Sequence, residues 1–460
     1  MINTECGIYS IISKSELKFD SFIDSLKKMQ HRGRDSWGAT YYENNKFINY
    51  KFVGLINDTI NNNYDLPIYN VKSKLWTGHV RYTTNGKLCI EQIQPINFNI
   101  NFQNNNKYID FTIAFNGNIP LNIFENIYLK YPEFKKIVEN INIQNNFNLN
   151  DTLILIEYFK FIFLCNSVNN ENTYYDYIKK TIIEILNNID GAYTIILQTF
   201  DKTYVFKDKY GLRPCTIAHN NNSLHITSES CILNNYDTYN IINILPNTIY
   251  CINNDDLQIN IIYENNYDYK QCIFEYLYFL NVNTINNDIF VRDFRKNIGK
   301  QLAIQISNTN NELFNKFKSN NTIICGVPKS GLLYAQGFSN YTNILYEPFL
   351  DLKKTNNTND VNHERTFILN TQEKRIKACK NKYEINSTIK DKICILIDDS
   401  IVRGTTLKFL INYIKSFNPK EIHFISASPS IKYPCFYGVD FADIEDLYFN
   451  KANLDLQTTT

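Results

Sequence analysis

Residues Ile393–Thr406 read ICILIDDSIVRGTT, and they set the architecture of the second half of the chain. The apolar run Ile393–Ile397 is too short for a stable helix and long enough for a buried strand. Asp398 and Asp399 follow at its C-terminal end. A turn with Ser400 and Gly404 comes next, and Thr405 and Thr406 open a helical pattern. In open α/β sheets ligands bind beyond the carboxyl ends of the strands. A Gly-containing loop that enters a helix offers backbone N–H groups and a positive dipole end to a phosphate. Adjacent aspartates suit ribose hydroxyls, or a Mg²⁺ shared with a pyrophosphate. An isolated Asp-Asp would be an ordinary strand end before a capped helix. The whole string reads as a phosphoribosyl-binding loop.

Outward from it the pattern repeats. TIICGVP (Thr322–Pro328) is another short apolar run ending in a Gly-containing turn, and Phe294–Ser307 has helical spacing. Strand–loop–helix alternation predicts a mainly parallel α/β sheet. The first half differs. CGIYSII, KFINYKFV, FTIAFNGNI, AYTIILQTF and KTYVFKD are β-rich runs with polar or Gly punctuation. Ser21–Gln30, Asp151–Phe163 and Tyr175–Asn188 read as helices. That half is α+β, with layered sheets and helices. The change of character near 255–265 predicts one domain over 6–255 and another over 256–460.

Composition bounds the function. The chain has 460 residues, enough for two or three domains at roughly 100–200 residues each. Lys and Arg total 47 against 46 Asp and Glu, a net charge of +1. This argues against nucleic acid or an acidic membrane surface as a partner. No apolar run is long enough to cross a membrane, and the first twenty residues do not read as a secretory signal. The 11 cysteines include no C-x-x-C pair, which fits free thiols in a reducing cytoplasm. Asn occurs 69 times, often in clusters, and reads as loop filler in a globular protein that is 44% hydrophobic.

In order along the chain stand Cys6-Gly7-Ile8, QHRGRDSWG (Gln30–Gly38), GHVRYTTNG (Gly78–Gly86), QPIN (Gln94–Asn97), FNGNI (Phe115–Ile119), GAYT from Gly191, DKYGLRP (Asp208–Pro214) and SESC (Ser228–Cys231). CIFEYLYF (Cys272–Phe279), VPKSG (Val327–Gly331), RTFI (Arg365–Ile368) with Gln372, Arg375 and Lys382, the Asp398 string and YPCFYGVD (Tyr433–Asp440) follow. Singly, Asn116-Gly117 is a hairpin turn and Arg81 a surface charge. As an ordered set, the first group resembles the glutaminase half of the amidophosphoribosyltransferase family, and the second its type I phosphoribosyltransferase half.

The resemblance implies an N-terminal-nucleophile hydrolase domain, with stacked antiparallel sheets between helices, followed by the phosphoribosyltransferase domain. It implies that Met1–Glu5 is a propeptide and that Cys6, once N-terminal, supplies both nucleophile and base. A terminal α-amine has a pKa of about 7.7–8.0, suited to that task. Arg81 would pair with the glutamine α-carboxylate and Asp151 with its α-ammonium. Arg32 and Gly33 would also meet glutamine. Asn116 and Gly117 would form the oxyanion hole. Ser330, Gly331, Arg365, Lys382, Asp398, Asp399, Ser400, Arg403, Gly404, Thr405 and Thr406 would bind phosphoribosyl pyrophosphate. Asp398, Asp399 and Ser330 would hold Mg²⁺. The implied activity is the first step of de novo purine (IMP) synthesis in the cytoplasm, by a homo-oligomer open to inhibition by purine nucleotides.

The chain also departs from the family's pattern. Lys329 stands where many relatives carry an acid, and Phe115 replaces a common His. LNVNT (Leu280–Thr284) replaces an ARPDS-like string, and 353–362 is Asn-rich. Cys272 and Cys435 match two of the four cysteines that hold an iron–sulfur cluster in some relatives. The later pair has no counterpart, so no cluster is expected. His31 and His79 read as structural. Two other readings remain: a catalytically silent relative that binds nucleotides or partners, and a glutaminase-linked synthase of another kind, which the Asp398 string opposes.

Overall fold

The structure, a computed structural model, describes residues 6–62, 67–82, 89–101, 108–145, 148–167, 173–266, 269–353, 382–438 and 444–451. Among them, seven strands form one antiparallel sheet. Their order is Asn240–Asn243, Thr216–His219, Ser223–Thr227, Gly7–Lys18, Lys72–Arg81, Ser36–Glu43 and Lys46–Val53. Six form a second, in the order Ile259–Glu264, Thr248–Asn253, Lys202–Lys207, Ala192–Gln198, Tyr108–Asn118 and Ile96–Asn101.

Period-two alternation stacks these sheets. Ile8, Ile12 and Leu75 of the first meet Ala114, Ile196 and Val205 of the second. The outer face of the second sheet is covered by the helices Leu121–Lys130, Pro132–Asn145, Asp151–Ser167 and Tyr174–Asn188, through Phe124, Phe134, Phe159 and Ile182. The outer face of the first meets Phe19–Lys27 through Phe22 and Leu26. The result is a helix–sheet–sheet–helix sandwich, as the resemblance implies.

One expectation needs correcting. Ile259–Glu264 pairs antiparallel with Thr248–Asn253, so the sandwich runs to Glu264, past residue 255. The turn Asn254–Gln258 is the bend of a hairpin.

The second half carries a parallel sheet in the order Leu345–Tyr346, Thr322–Gly326, Ile393–Asp398, Glu421–Ser426. Val291–Thr309 and Leu332–Thr342 cover one face, and Thr405–Lys415 covers the other. The strand that delivers Asp398 is thus internal to the sheet.

Candidate functional site

In the strand Gly7–Lys18, Tyr9 and Ile11 face the helix while Ile8 and Ile12 face the second sheet. Cys6 immediately precedes the strand, on the parity of Ile8. In Tyr108–Asn118, Phe111, Ile113 and Phe115 face the helices and Ala114 faces the gap, so Asn116 falls on the gap side too. Ser228 joins the two: its Oγ accepts from Ile8 N at 3.1 Å and from Asn116 Nδ2 at 3.2 Å. Asn116 is fully buried, and its Oδ1 has no hydrogen-bond partner among the described residues. A Cβ at Gly117 would stand 2.2 Å from Ala192 O, so only glycine fits there.

Arg81 ends the strand Lys72–Arg81. Its Nη2 donates to Gln92 Oε1 at 3.3 Å, and its Nη1 is buried without a partner among the described residues. Gly33 lies against that strand end, where a Cβ would come within 2.4 Å of Arg81 N. Asp151 opens its helix, and its carboxylate accepts from Ile119 N at 3.1 Å and Thr152 N at 2.8 Å. Burial raises its pKa, against those two N–H groups and Arg81. Burial likewise pushes the Cys6 thiol up. The Tyr82 N–H, Arg81 and Arg32 favour the thiolate, while Asp151 opposes it. Cys6, Arg81, Asp151 and Asn116 therefore gather at one end of the gap between the sheets. The group joins a thiol, a carboxylate and an unpartnered guanidinium N–H. It matches a small ligand with both an α-carboxylate and an ammonium.

Arg32 has another placement. Its Nε donates to Cys6 O at 2.9 Å, its Nη1 to Glu229 Oε1 at 2.7 Å and Glu275 Oε2 at 3.2 Å, and its Nη2 to Glu275 Oε1 at 3.1 Å. The guanidinium is engaged with the backbone of Cys6 and two carboxylates. His79 Nε2 bonds Phe115 O at 3.2 Å, and burial lowers its pKa to about 3, so it stays neutral. His31 lies 2.8 Å from Glu229 Oε1.

Sequence reasoning gave no role to Ser228, Glu229, Gln94 or Glu275. Gln94 accepts from Phe115 N at 2.7 Å and donates to Thr152 Oγ1 at 3.3 Å, so one side chain sets the neighbours of both Asn116 and Asp151. The available signal was a charged residue inside an otherwise apolar string, as at Glu275 in CIFEYLYF.

At the other end of the chain, Ser330 Oγ donates to Asp398 Oδ1 at 2.6 Å, and Ser400 Oγ to Asp399 Oδ2 at 2.8 Å. Burial and then the adjacent Asp399 push Asp398 well above the usual carboxylate range, and burial raises Asp399. Two crowded, buried carboxylates favour a cation between them and a ligand. Among the described residues no three His, Cys, Asp or Glu side chains converge as a metal cage. Mg²⁺ commonly uses one or two carboxylates and the substrate's phosphates, so the pair fits it.

The loop Val327–Gly331 presses on the strand end: a Cβ on Gly331 would lie 2.0 Å from Ile397 O, and Lys329 adopts φ +75°. Strain of that kind in a non-glycine residue is common at ligand loops. Gly404, at φ +74°, precedes the helix Thr405–Lys415, so Thr405 and Thr406 form its first turn. Arg403 Nε lies 3.5 Å from Asp446 Oδ2, and Lys382 lies over the Tyr383 ring. Arg365, Gln372, Arg375 and Met1–Glu5 are outside the described residues. Cys272 and Cys435 are free thiols packed around Phe279.

Residues 295–428 match the phosphoribosyl transferase domain family. Over 99% of its length the chain is 29% identical to the amidophosphoribosyltransferase of Bacillus subtilis, covering 85% of that relative. The amidophosphoribosyltransferase of Methanocaldococcus jannaschii is 27% identical, over 96% of this chain and 88% of its own. Among solved structures, the glutamine phosphoribosylpyrophosphate amidotransferase of B. subtilis complexed with ADP and GMP superposes with a TM-score of 0.75 at 26% identity, over 99% of this chain and 88% of that one. A structure of an allosteric regulatory enzyme of purine biosynthesis matches with a TM-score of 0.75 at 27% identity, over 99% of this chain and 87% of that one.

Proposed function

We infer that this chain, which belongs to the amidophosphoribosyltransferase family, hydrolyses glutamine at Cys6 and transfers the ammonia to phosphoribosyl pyrophosphate. The products are 5-phosphoribosylamine, glutamate and pyrophosphate, in the entry step of purine synthesis. One observation carries the glutaminase half: Arg81 Nη1, a donor suited to a carboxylate, is buried without a partner among the described residues in the group around Cys6. Unsatisfied buried polar atoms are costly, and a ligand with matching groups removes the cost.

With Cys6 at the N-terminus, its α-amine takes the thiol proton and Sγ attacks the side-chain amide carbon of glutamine. Arg81 holds the α-carboxylate, and Asp151 the α-ammonium. Asn116 Nδ2 has a second N–H beyond the one given to Ser228, and with the Gly117 N–H it receives the oxyanion. The C–N bond breaks, ammonia leaves with the proton from the α-ammonium, and water cleaves the thioester to glutamate. At the second site ammonia attacks C1 of the donor and pyrophosphate departs. Asp398, Asp399 and Ser330 are the residues that would hold Mg²⁺, which when bound neutralises charge on the pyrophosphate. The backbone N–H groups at the start of Thr405–Lys415 receive the 5-phosphate.

The proposal extends to a cytoplasmic homo-oligomer inhibited by purine nucleotides. Among the described residues no helix is long and apolar enough to cross a membrane.

The test is pyrophosphate release from phosphoribosyl pyrophosphate with Mg²⁺, comparing glutamine with ammonium chloride. Release with both supports the two-site enzyme. Release with ammonium alone means a working transferase beside an unprocessed or dead glutaminase. Release with neither favours the silent relative.

A further inference from the structure

We infer that Glu275 is a positioning residue for the Cys6 nucleophile, acting from the second half of the chain through Arg32. The inference rests on glutamine hydrolysis at Cys6.

Cys6 lies just before the first paired residue of its strand, Gly7, so the described sheet ladder begins one residue too late to fix it. Arg32 supplies the anchor, Nε to Cys6 O at 2.9 Å. A guanidinium is planar and rigid, so holding its two terminal nitrogens fixes where Nε points. Glu229 holds Nη1, and Glu275 spans Nη1 and Nη2. The side chains of Arg32, Glu229 and Glu275 are all nearly or fully buried.

The two carboxylates come from different halves. Glu229 lies in the sandwich domain and also accepts from Asn281 N and Thr284 Oγ1, both at 2.7 Å. Glu275 opens a wide π-helical turn, Glu275–Phe279, whose carbonyls are held by the second half. Arg295 donates to Tyr276 O at 2.8 Å and to Leu280 O at 2.9 Å. Tyr334 donates to Leu277 O at 2.8 Å. Tyr334 belongs to Leu332–Thr342, the helix that directly follows the Val327–Gly331 loop. Arg213 adds a further tie, 3.8 Å from Glu275 and donating to Tyr437 O at 2.8 Å. An unbroken series of contacts therefore runs from the helix behind the Val327–Gly331 loop to the Cys6 carbonyl.

The charged groups that bear on Cys6 are Arg32, Arg81 and Asp151. Glu229, Glu275, His31 and Arg213 form the next layer around Arg32. Removing one negative charge from that layer leaves Arg32 less compensated. Both the thiol and the α-amine of Cys6 should then lose their protons at lower pH.

The experiment measures glutamine hydrolysis and ammonia-dependent pyrophosphate release by the full-length protein, with Glu275→Gln and Glu275→Asp. Misplacing a reacting group by about 1 Å can cost roughly 100-fold in rate. E275Q should lose kcat for glutamine on that order, with KM and the ammonia reaction little changed and the acid limb of the pH profile moved to lower pH. E275D, which keeps the charge but not the reach, should restore the limb and not the rate. Equal loss of both reactions, or a glutamine rate and pH limb identical to wild type, would overturn the inference. If E275Q does not fold, Arg32→Lys must show the same selective loss of glutamine kcat. A wild-type protein that hydrolyses no glutamine sinks the proposed function and this inference together. An active wild type with an unaltered E275Q sinks this inference alone.

Discussion

At the scale of single residues the glutaminase site depends on hydrogen bonds between parts of the chain far apart in sequence. Asn116 is held by Ser228, which also holds Ile8. Truncating Asn116 removes the proposed oxyanion donor and leaves the proposed phosphoribosyl-donor site intact. Removing one such donor typically costs about 10²–10³ in kcat. Asn116→Ala should therefore lose glutamine-dependent turnover on that order while ammonia-dependent pyrophosphate release continues. Steady-state kinetics with the two nitrogen sources check this, and parallel loss of both would refute the assigned role. Cys6, Arg81 and the Asn116-Gly117 pair drew attention only as members of an ordered set of strings, since singly each reads as an ordinary structural residue. The roles of Ser228, Gln94 and Glu229 were not legible, because they are set by partners that only the stacked sheets bring near.

At the scale of elements, loops pressed against strand ends form the proposed donor site. Gly331 has no room for a methyl group beside Ile397 O. Gly331→Ala must displace the Val327–Gly331 loop, and overpacking of this kind typically costs about 1–3 kcal/mol. The expected result is a lower thermal midpoint and a raised KM for phosphoribosyl pyrophosphate, with glutamine binding unaffected. An unchanged KM would mean the loop does not meet the donor. The Asp398–Asp399 pair makes a second prediction here. Burial raises both carboxyls, and the adjacent Asp399 raises Asp398 further, so the pair holds protons to higher pH than free carboxyls do, in competition with a bound cation. Mg²⁺ with the donor should bind more tightly as pH rises and should release protons on binding, which titration calorimetry in buffers of different ionisation heat detects. Affinity independent of pH would place the metal elsewhere.

Five of the thirteen described strands of the two sheets were readable as β-rich runs with polar or Gly punctuation, and the Asp398 strand from its length and apolarity. The helices Leu121–Lys130 and Pro132–Asn145 were not recognised. Their inward residues Phe124, Ile127, Phe134 and Val138 have the right spacing, but Leu129 and Ile143 are outward and exposed, and the interleaved Asn residues blur the apolar stripe.

At the scale of the whole molecule, the halves are joined by a buried charge cluster, and that joint gives the stability a pH dependence of definite sign. Burial alone would raise Glu229, but His31 and Arg32 overcome it and hold the carboxyl well below the usual range. A carboxyl depressed in the folded state binds fewer protons there than in the unfolded chain. Its contribution is therefore complete above the unfolded value of about 4.3 and is lost as pH falls toward the folded value. Glu229→Gln keeps two hydrogen-bonding positions and removes the charge. Breaking a buried pair by removing one partner typically costs about 3–5 kcal/mol. E229Q should accordingly be less stable than wild type at pH 7, and the gap should narrow below about pH 4 as the unfolded wild-type chain takes up a proton at this carboxyl that the folded state does not. Denaturant melts of both proteins at pH 7 and in mild acid measure this directly. A constant gap across that range would show that the cluster holds the halves together by shape and not by charge. In that case the ion pairs between Arg32 and the two glutamates would matter for geometry alone.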